Sequence, residues 1–194
     1  MRIFAILALL LSATTAHAQN LQTAIFAGGC FWCVESDFDK VEGVVETVSG
    51  YTGGTLDNPT YKDVTRGDTG HYEAVEITYD ADVVSYDQLL YVFWRTVDPT
   101  DAGGQFCDRG SSYRTAIFAL NDAQAAAANA SKAGLSLGDP IVTPIIPAST
   151  FYPAEDYHQN YHNTNSLSYK FYRSRCGRDA RIRQIWGDEA IFAS

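Results

Sequence analysis

Beyond its initiator the chain contains no methionine: Met1 is the single one in 194 residues, so nothing after it can form a methionine sulfoxide. Basic side chains are scarce, with 14 Lys and Arg against 23 Asp and Glu and a formal charge of −9. Binding nucleic acid through its phosphates needs a basic footprint, which this balance denies. Charged residues make up 19% and hydrophobic ones 46%, too apolar a mixture for a disordered chain. Cysteine stops at four, too few for a miniature disulfide scaffold, and a chain of this length buries a core without one. No internal repeat, low-complexity tract or linker divides the sequence, which suits one domain plus a tail.

One long apolar run is present, and it reads as an address. Arg2 is followed by an apolar stretch from Ile3 to Leu11, too short to span a bilayer, and then by Ala16-His17-Ala18 before Gln19. Residues 1–18 are therefore expected to be a secretory signal peptide and 19–194 a single domain. The mature chain of 176 residues would carry 13 basic and 23 acidic groups, a charge of −10. Export, most naturally to a bacterial periplasm, puts Cys30, Cys33, Cys107 and Cys176 where thiols are oxidised.

Thr23 to Ala27 reads as a buried strand ending at Gly28-Gly29. Phe31, Val34, Phe38 and Val41 then recur at helical spacing up to Gly43. Val44 to Tyr51 is β-branched, residues 53–72 form a long polar loop, and Glu73 to Tyr79 alternates as a strand. Ser85 caps a helix with an apolar stripe of Leu89, Leu90, Phe93, Trp94 and Val97. A second loop, 98–112, leads to a strand at Arg114 to Leu120 and an Ala-rich helix capped by Asn121. Pro140 to Ala148 reads as an edge strand, because Pro144 and Pro147 cannot serve a central one. The order β-α-β-β-α-β predicts an α+β fold: a ferredoxin-like split βαβ core with a mixed sheet, helices packed on it, and residues 149–194 wrapping round it.

Chemistry concentrates at Gly28-Gly-Cys-Phe-Trp-Cys-Val-Glu35. A strand running into two glycines puts Cys30 at a helix start, where free N–H groups and the helix dipole favour a thiolate. Phe31 and Trp32 beside it suit a pocket for a small apolar group, or both serve the core. Cys30 and Cys33 form a C-x-x-C, the spacing of a redox pair; the alternatives are two structural disulfides among the four cysteines, or a zinc site, for which no second C-x-x-C exists. These leave open a thiol–disulfide oxidoreductase and a secreted binding module stapled twice.

Gly29-Cys-Phe-Trp-Cys-Val-Glu35 resembles the active-site motif of the peptide methionine sulfoxide reductase A family. Further stretches are similar in the same order: Asn58 to Val64, Gly67 to Val75, Asp98 to Asp101, Asp108 to Arg114, Phe151 to Asn160 and Tyr169 to Tyr172. The resemblance implies that Cys30 attacks the sulfoxide sulfur, Phe31 and Trp32 form the methyl slot, and Glu73 is the general acid. It implies that Tyr61 and Tyr113 hydrogen-bond the oxygen and that Asp108 helps bind substrate. Without it, Glu73 reads as a solvated strand-start residue, and nothing singles out two of twelve tyrosines. It implies the S epimer, free or in proteins, no metal or other cofactor, a monomer, and a thioredoxin-like dithiol as external reductant. A repair enzyme of this kind would carry no methionine of its own to be damaged.

One departure concerns the second thiol. Many members have glycine at the position of Cys33 and resolve the sulfenic acid through a C-terminal tail. Here Cys33 ranks first as resolving residue, with Cys107 and Cys176 behind it, provided Cys30 sits at the very start of its helix. Glu155, His158 and His162 have one metal-like spacing, but the ordinary reading is an amphipathic helix packing Tyr157 and Tyr161. His71 reads as a solvated loop residue. The run Arg173, Arg175, Arg178, Arg181, Arg183 reads as neutralising nearby carboxylates, with an acidic partner as the alternative.

Overall fold

The computed structural model describes residues 19–193; the expected signal peptide lies outside them. Strand β1 (Leu21–Gly28) is buried on both faces from Ala24 onward, and its alternation serves two cores. Ala24 and Phe26 face one set of helices, while Ile25 and Ala27 face the opposite layer. Helix α1 (Phe31–Phe38) follows the two-glycine turn, and β2 (Val44–Thr52) follows α1. Then come α2 (Tyr61–Arg66), β3 (Tyr72–Asp80) and α3 (Tyr86–Arg95). A two-strand hairpin, β4 (Gly104–Gln105) and β5 (Asp108–Arg109), precedes β6 (Thr115–Ala119) and α4 (Asp122–Ala133). Short strands β7 (Ile145–Pro147) and β8 (Tyr152–Pro153) lead to α5 (Tyr161–Thr164), α6 (Ser166–Cys176) and α7 (Arg178–Trp186).

The main sheet runs β7-β6-β1-β3-β2-β8. β3 lies between β1 and β2, which makes the split βαβ arrangement expected from the element order. All neighbours are antiparallel except β6 and β7, so the sheet is mixed. The register pairs Phe26 with Val75 and Tyr51 with Glu73, so Glu73 points to the same face as Val75, Ile77 and Tyr79.

The expected stripe on α3 is real: Leu89, Leu90, Phe93 and Trp94 are fully buried, as is Val97 just beyond the helix end. Phe26 stacks on Phe38 and Phe93 with centroids 5.4 and 5.0 Å apart, each ring contributing about 2–3 kcal/mol by burial. Ser85 closes a capping box with Gln88, and Asn121 accepts from the Gln124 amide.

Five expectations need correction. The 53–72 loop contains α2, started by a Thr60–Asp63 capping box and stopped by Gly67 at φ +91°. With only Val64 of its six residues buried, it leaves no apolar period to read. The 98–112 loop contains the β4–β5 hairpin, and the strand expected over 140–148 shrinks to three residues. His158 and His162 do not share a helix: a tight turn ends at His158, Gln159 is extended, Asn160 is left-handed, and α5 begins at Tyr161. His71 is buried, its ring accepting from the Gly54 amide and bonding the Leu56 carbonyl, so it pins its loop.

Candidate active site

The turn that delivers Cys30 has no room for side chains. A Cβ at Gly28 would lie 2.9 Å from Val34 Cγ2, and one at Gly29, where φ is +85°, would lie 2.5 Å from Gln105 Cβ. Cys30 is the N-cap of α1, with non-helical backbone (φ −52°, ψ 118°), and its carbonyl accepts from the amides of Cys33 (3.0 Å) and Val34 (3.3 Å). It therefore stands at the very start of the helix. Cys33 follows one turn later, and both are buried free thiols.

The expected low thiol pKa at Cys30 is not what this environment produces. Burial pushes the Cys30 thiol well above its ordinary value, and Cys33 and the Glu73 carboxyl push the same way. Cys33 is pulled down to about 7, first by its hydrogen bond with Cys30, against burial, and then by the charges of Arg178 and Arg173. Within the pair, negative charge is thus favoured on Cys33 over Cys30, chiefly through their shared hydrogen bond and then through the cations on the Cys33 side.

Glu73 is 1% exposed, far more buried than its strand-start position suggested. Burial raises its carboxyl to about 8, opposed by the Phe31 amide, which donates to Oε2 at 3.0 Å. It is therefore mainly protonated at pH 7. Tyr61 opens α2 and Tyr113 closes a short turn at Ser111–Tyr113. With Cys30, Phe31, Trp32, Glu73, Asp108 and Tyr172 they line one cavity of about 60 Å³. Every candidate catalytic and substrate-binding residue is in that lining. A larger cavity, about 570 Å³ at the other end of α1, contains none of them.

The roles of several supporting residues are not visible in the sequence. Tyr172 donates to Asp108 Oδ2 from α6. Burial raises the Asp108 carboxyl, and this bond opposes the rise. The Trp32 indole stacks on Tyr161 at 3.8 Å and donates to His158 Nδ1 at 3.2 Å. His158 also packs on Phe31 and Tyr61. Glu155 accepts from the Tyr51 hydroxyl and the Tyr61 amide, both at 2.9 Å. These residues hold the aromatic lining in place, which is the job that sequence spacing had offered to a metal or an amphipathic helix.

Cys107 and Cys176, ranked as alternative resolving thiols, are bonded to each other across 69 residues. Neither carries a thiol in this state. The pairing also replaces the two structural disulfides with one, leaving the C-x-x-C free. The disulfide ties the Asp108 hairpin to the end of α6, with Cys176 Sγ 3.8 Å from Asp108 Oδ2.

Two free thiols at a helix start, opening with phenols and a neutral carboxyl onto a cavity sized for a few heavy atoms, define a thiol-dependent oxidoreductase. Comparison with known proteins narrows the class. A family model described as peptide methionine sulfoxide reductase matches residues 22–190. The chain is 56% identical over 177 residues to peptide methionine sulfoxide reductase MsrA 2 of Rhizobium meliloti (strain 1021), covering 90% of this chain and 88% of that one. It is 51% identical over 174 residues to MsrA of Bacillus subtilis (strain 168), covering 88% and 98%. Among solved structures it is similar to methionine sulfoxide reductase A of Corynebacterium diphtheriae (35% identity, TM-score 0.69, 76% of each chain). It is also similar to reduced Mxr1 of Saccharomyces cerevisiae (32% identity, TM-score 0.68, 75% and 86%). The chain belongs to the peptide methionine sulfoxide reductase A family and is an oxidoreductase of that kind.

Proposed function

We propose that the protein reduces the S epimer of methionine sulfoxide by thiol chemistry at Cys30, in exported proteins and as the free amino acid. As the Cys30 sulfur attacks the sulfoxide sulfur, its proton passes to its hydrogen-bonded partner Cys33. The Glu73 carboxyl gives its proton to the sulfoxide oxygen, which Tyr61 and Tyr113 receive by hydrogen bonds. The oxygen ends on Cys30 as a sulfenic acid and methionine leaves, its methyl having occupied the slot of Phe31 and Trp32. Asp108, held by Tyr172, binds the rest of the substrate. Cys33 then resolves the sulfenic acid to a Cys30–Cys33 disulfide, releasing water, and a thioredoxin-like dithiol restores both thiols.

The observation that carries this reading is the meeting of Cys30 and a neutral Glu73 in one small aromatic-walled cavity. In favour of Cys33 are its free thiol, its place one turn from an N-cap cysteine, and the pairing of the other two cysteines. The S preference and the reductant follow the family resemblance. Export to a periplasm rests on the sequence of residues 1–18, and action as a monomer is part of the same proposal. The test is consumption of methionine sulfoxide with dithiothreitol by wild type and Cys30→Ser. Turnover in the first and none in the second is expected. An inactive wild type would sink the function, and an active variant would sink the role of Cys30.

A further inference from the structure

We propose that Arg173 and Arg178, buried with Asp37 beside Cys33, are positioning residues of the resolving step: they hold negative charge on Cys33 so that it attacks the Cys30 sulfenic acid. The inference rests on the proposed reading of Cys30 and Cys33.

The arginine run of the sequence separates into different jobs. Arg181 pairs with Asp98 at 2.8 Å, as a carboxylate-neutralising residue should. Arg173 and Arg178 instead turn inward and are 7% and 1% exposed. Cys33 and Asp37 are one turn apart on the same face of α1, so the cations held at Asp37 lie on the side of Cys33. Arg173 Nη1 bonds Asp37 Oδ1 at 2.8 Å and the Tyr169 hydroxyl at 3.0 Å, and its other edge pairs with Asp179.

Arg178 is held differently. Its Nη2 donates to two neutral carbonyls, Gly28 at 3.1 Å and Thr96 at 3.0 Å, directly beneath the turn that carries Cys30. Its Nε stands 3.9 Å from Asp37 Oδ2, and neither atom has a hydrogen-bond partner among the described residues. The Phe106 ring covers the guanidinium at 4.6 Å. A cation anchored by carbonyls, rather than cancelled by a bidentate carboxylate, keeps its field for its neighbours, and burial leaves that field poorly screened. Arg173 is matched by Asp37 and Asp179, so Arg178, held mainly by neutral carbonyls, is the cation left for a Cys33 thiolate to neutralise.

The groups facing Cys33 are Cys30 and Asp37 on α1, Glu73 on β3, Tyr169, Tyr172 and Arg173 on α6, and Arg178 on α7. Only the two arginines are cations. Once the first step has protonated Cys33, it must lose that proton again. The Cys33 thiolate then attacks the Cys30 sulfur, the S–S bond forms and the S–O bond breaks. The departing hydroxide takes up a proton and leaves as water. The sulfoxide has already supplied the oxidation, so no further oxidant is needed.

The test mixes reduced enzyme with one equivalent of methionine sulfoxide and follows the trapping of sulfenic acid by dimedone against pH. Each variant still forms one methionine per enzyme. Arg173→Gln and Arg178→Gln are expected to slow disulfide formation about fivefold at pH 7, the loss of thiolate when a group near 7 rises by about one unit, with the rate recovered at higher pH. Asp37→Asn moves the profile the other way, and Arg178→Lys, which keeps the charge, stays near wild type. If Arg178→Gln does not fold, Arg173→Gln and Asp37→Asn decide by their opposite signs. An unchanged profile in both, or shifts of one sign, would overturn the proposal. Absence of methionine from the wild type would instead defeat the function on which it rests.

Discussion

The core from β1 to β6 and the C-terminal stretch from β8 to α7 meet at one cavity, yet they contribute to it by different means. The core supplies the groups proposed to react: Cys30 and Tyr61 from helix starts, Glu73 from a strand end and Tyr113 from a short turn. The C-terminal stretch supplies few cavity-lining groups. Its Tyr161, His158, Glu155 and Tyr172 hold Trp32, Tyr61 and Asp108, and its Arg173 and Arg178 reach the buried side of Cys33. Chemistry thus sits on a sheet, while its orientation and charge are set by a wrap that begins on the sheet edge at β8 and reaches the site through side chains. Damage to the first should abolish turnover, and damage to the second should detune it.

The largest effect that would sharpen this contrast is Glu73→Gln. Loss of the general acid should lower kcat/KM by roughly 10²–10⁴. In the wild type the rate should fall as pH rises through about 8, because the acid form is the donor, and the variant should lose that limb. The stability sign is separate. The folded pKa lies above the unfolded one, so this group's contribution is full below the unfolded pKa and is lost as pH rises to about 8. Denaturant melts above pH 8 should therefore find the glutamine form more stable than wild type.

Next in size, Trp94→Ala in the core should cost about 3–5 kcal/mol, read as a lower urea midpoint with an unchanged slope. Replacing Cys107 and Cys176 together by serine should cost roughly 2–4 kcal/mol through freed chain entropy, yet leave the enzyme able to form one disulfide per turnover. Loss of all turnover in a folded double variant would move the wrap into the chemistry. Smallest is Glu155→Gln, which weakens two bonds to Tyr51 and Tyr61. It should cost about 1–2 kcal/mol and raise KM more than it lowers kcat.

The same contrast explains what the sequence disclosed. Core strands and helices carry periods of two and 3.6, so β1, β3 and α3 were readable, and two glycines before Cys30 announced the helix start. Glu73 was hidden by its type, although its phase with Val75, Ile77 and Tyr79 already aimed it inward. α2 buries one side chain, too few to leave a pattern. The wrap is legible least of all. Trp32 and His158 are 126 residues apart, and Arg178 reaches Gly28 across 150, distances at which spacing carries no information about contact. The Cys30 thiol departs from expectation for a physical reason: a helix start favours a thiolate, but burial raises this thiol, and its hydrogen bond with Cys33, helped by the nearby cations, favours charge on the second sulfur.

The most direct measurement is the disulfide map after one equivalent of methionine sulfoxide has reacted with reduced-site enzyme and been quenched. The account predicts a Cys30–Cys33 disulfide beside an intact Cys107–Cys176 bond. A bond from Cys30 to Cys107 or Cys176, with Cys33 still a free thiol, would contradict it.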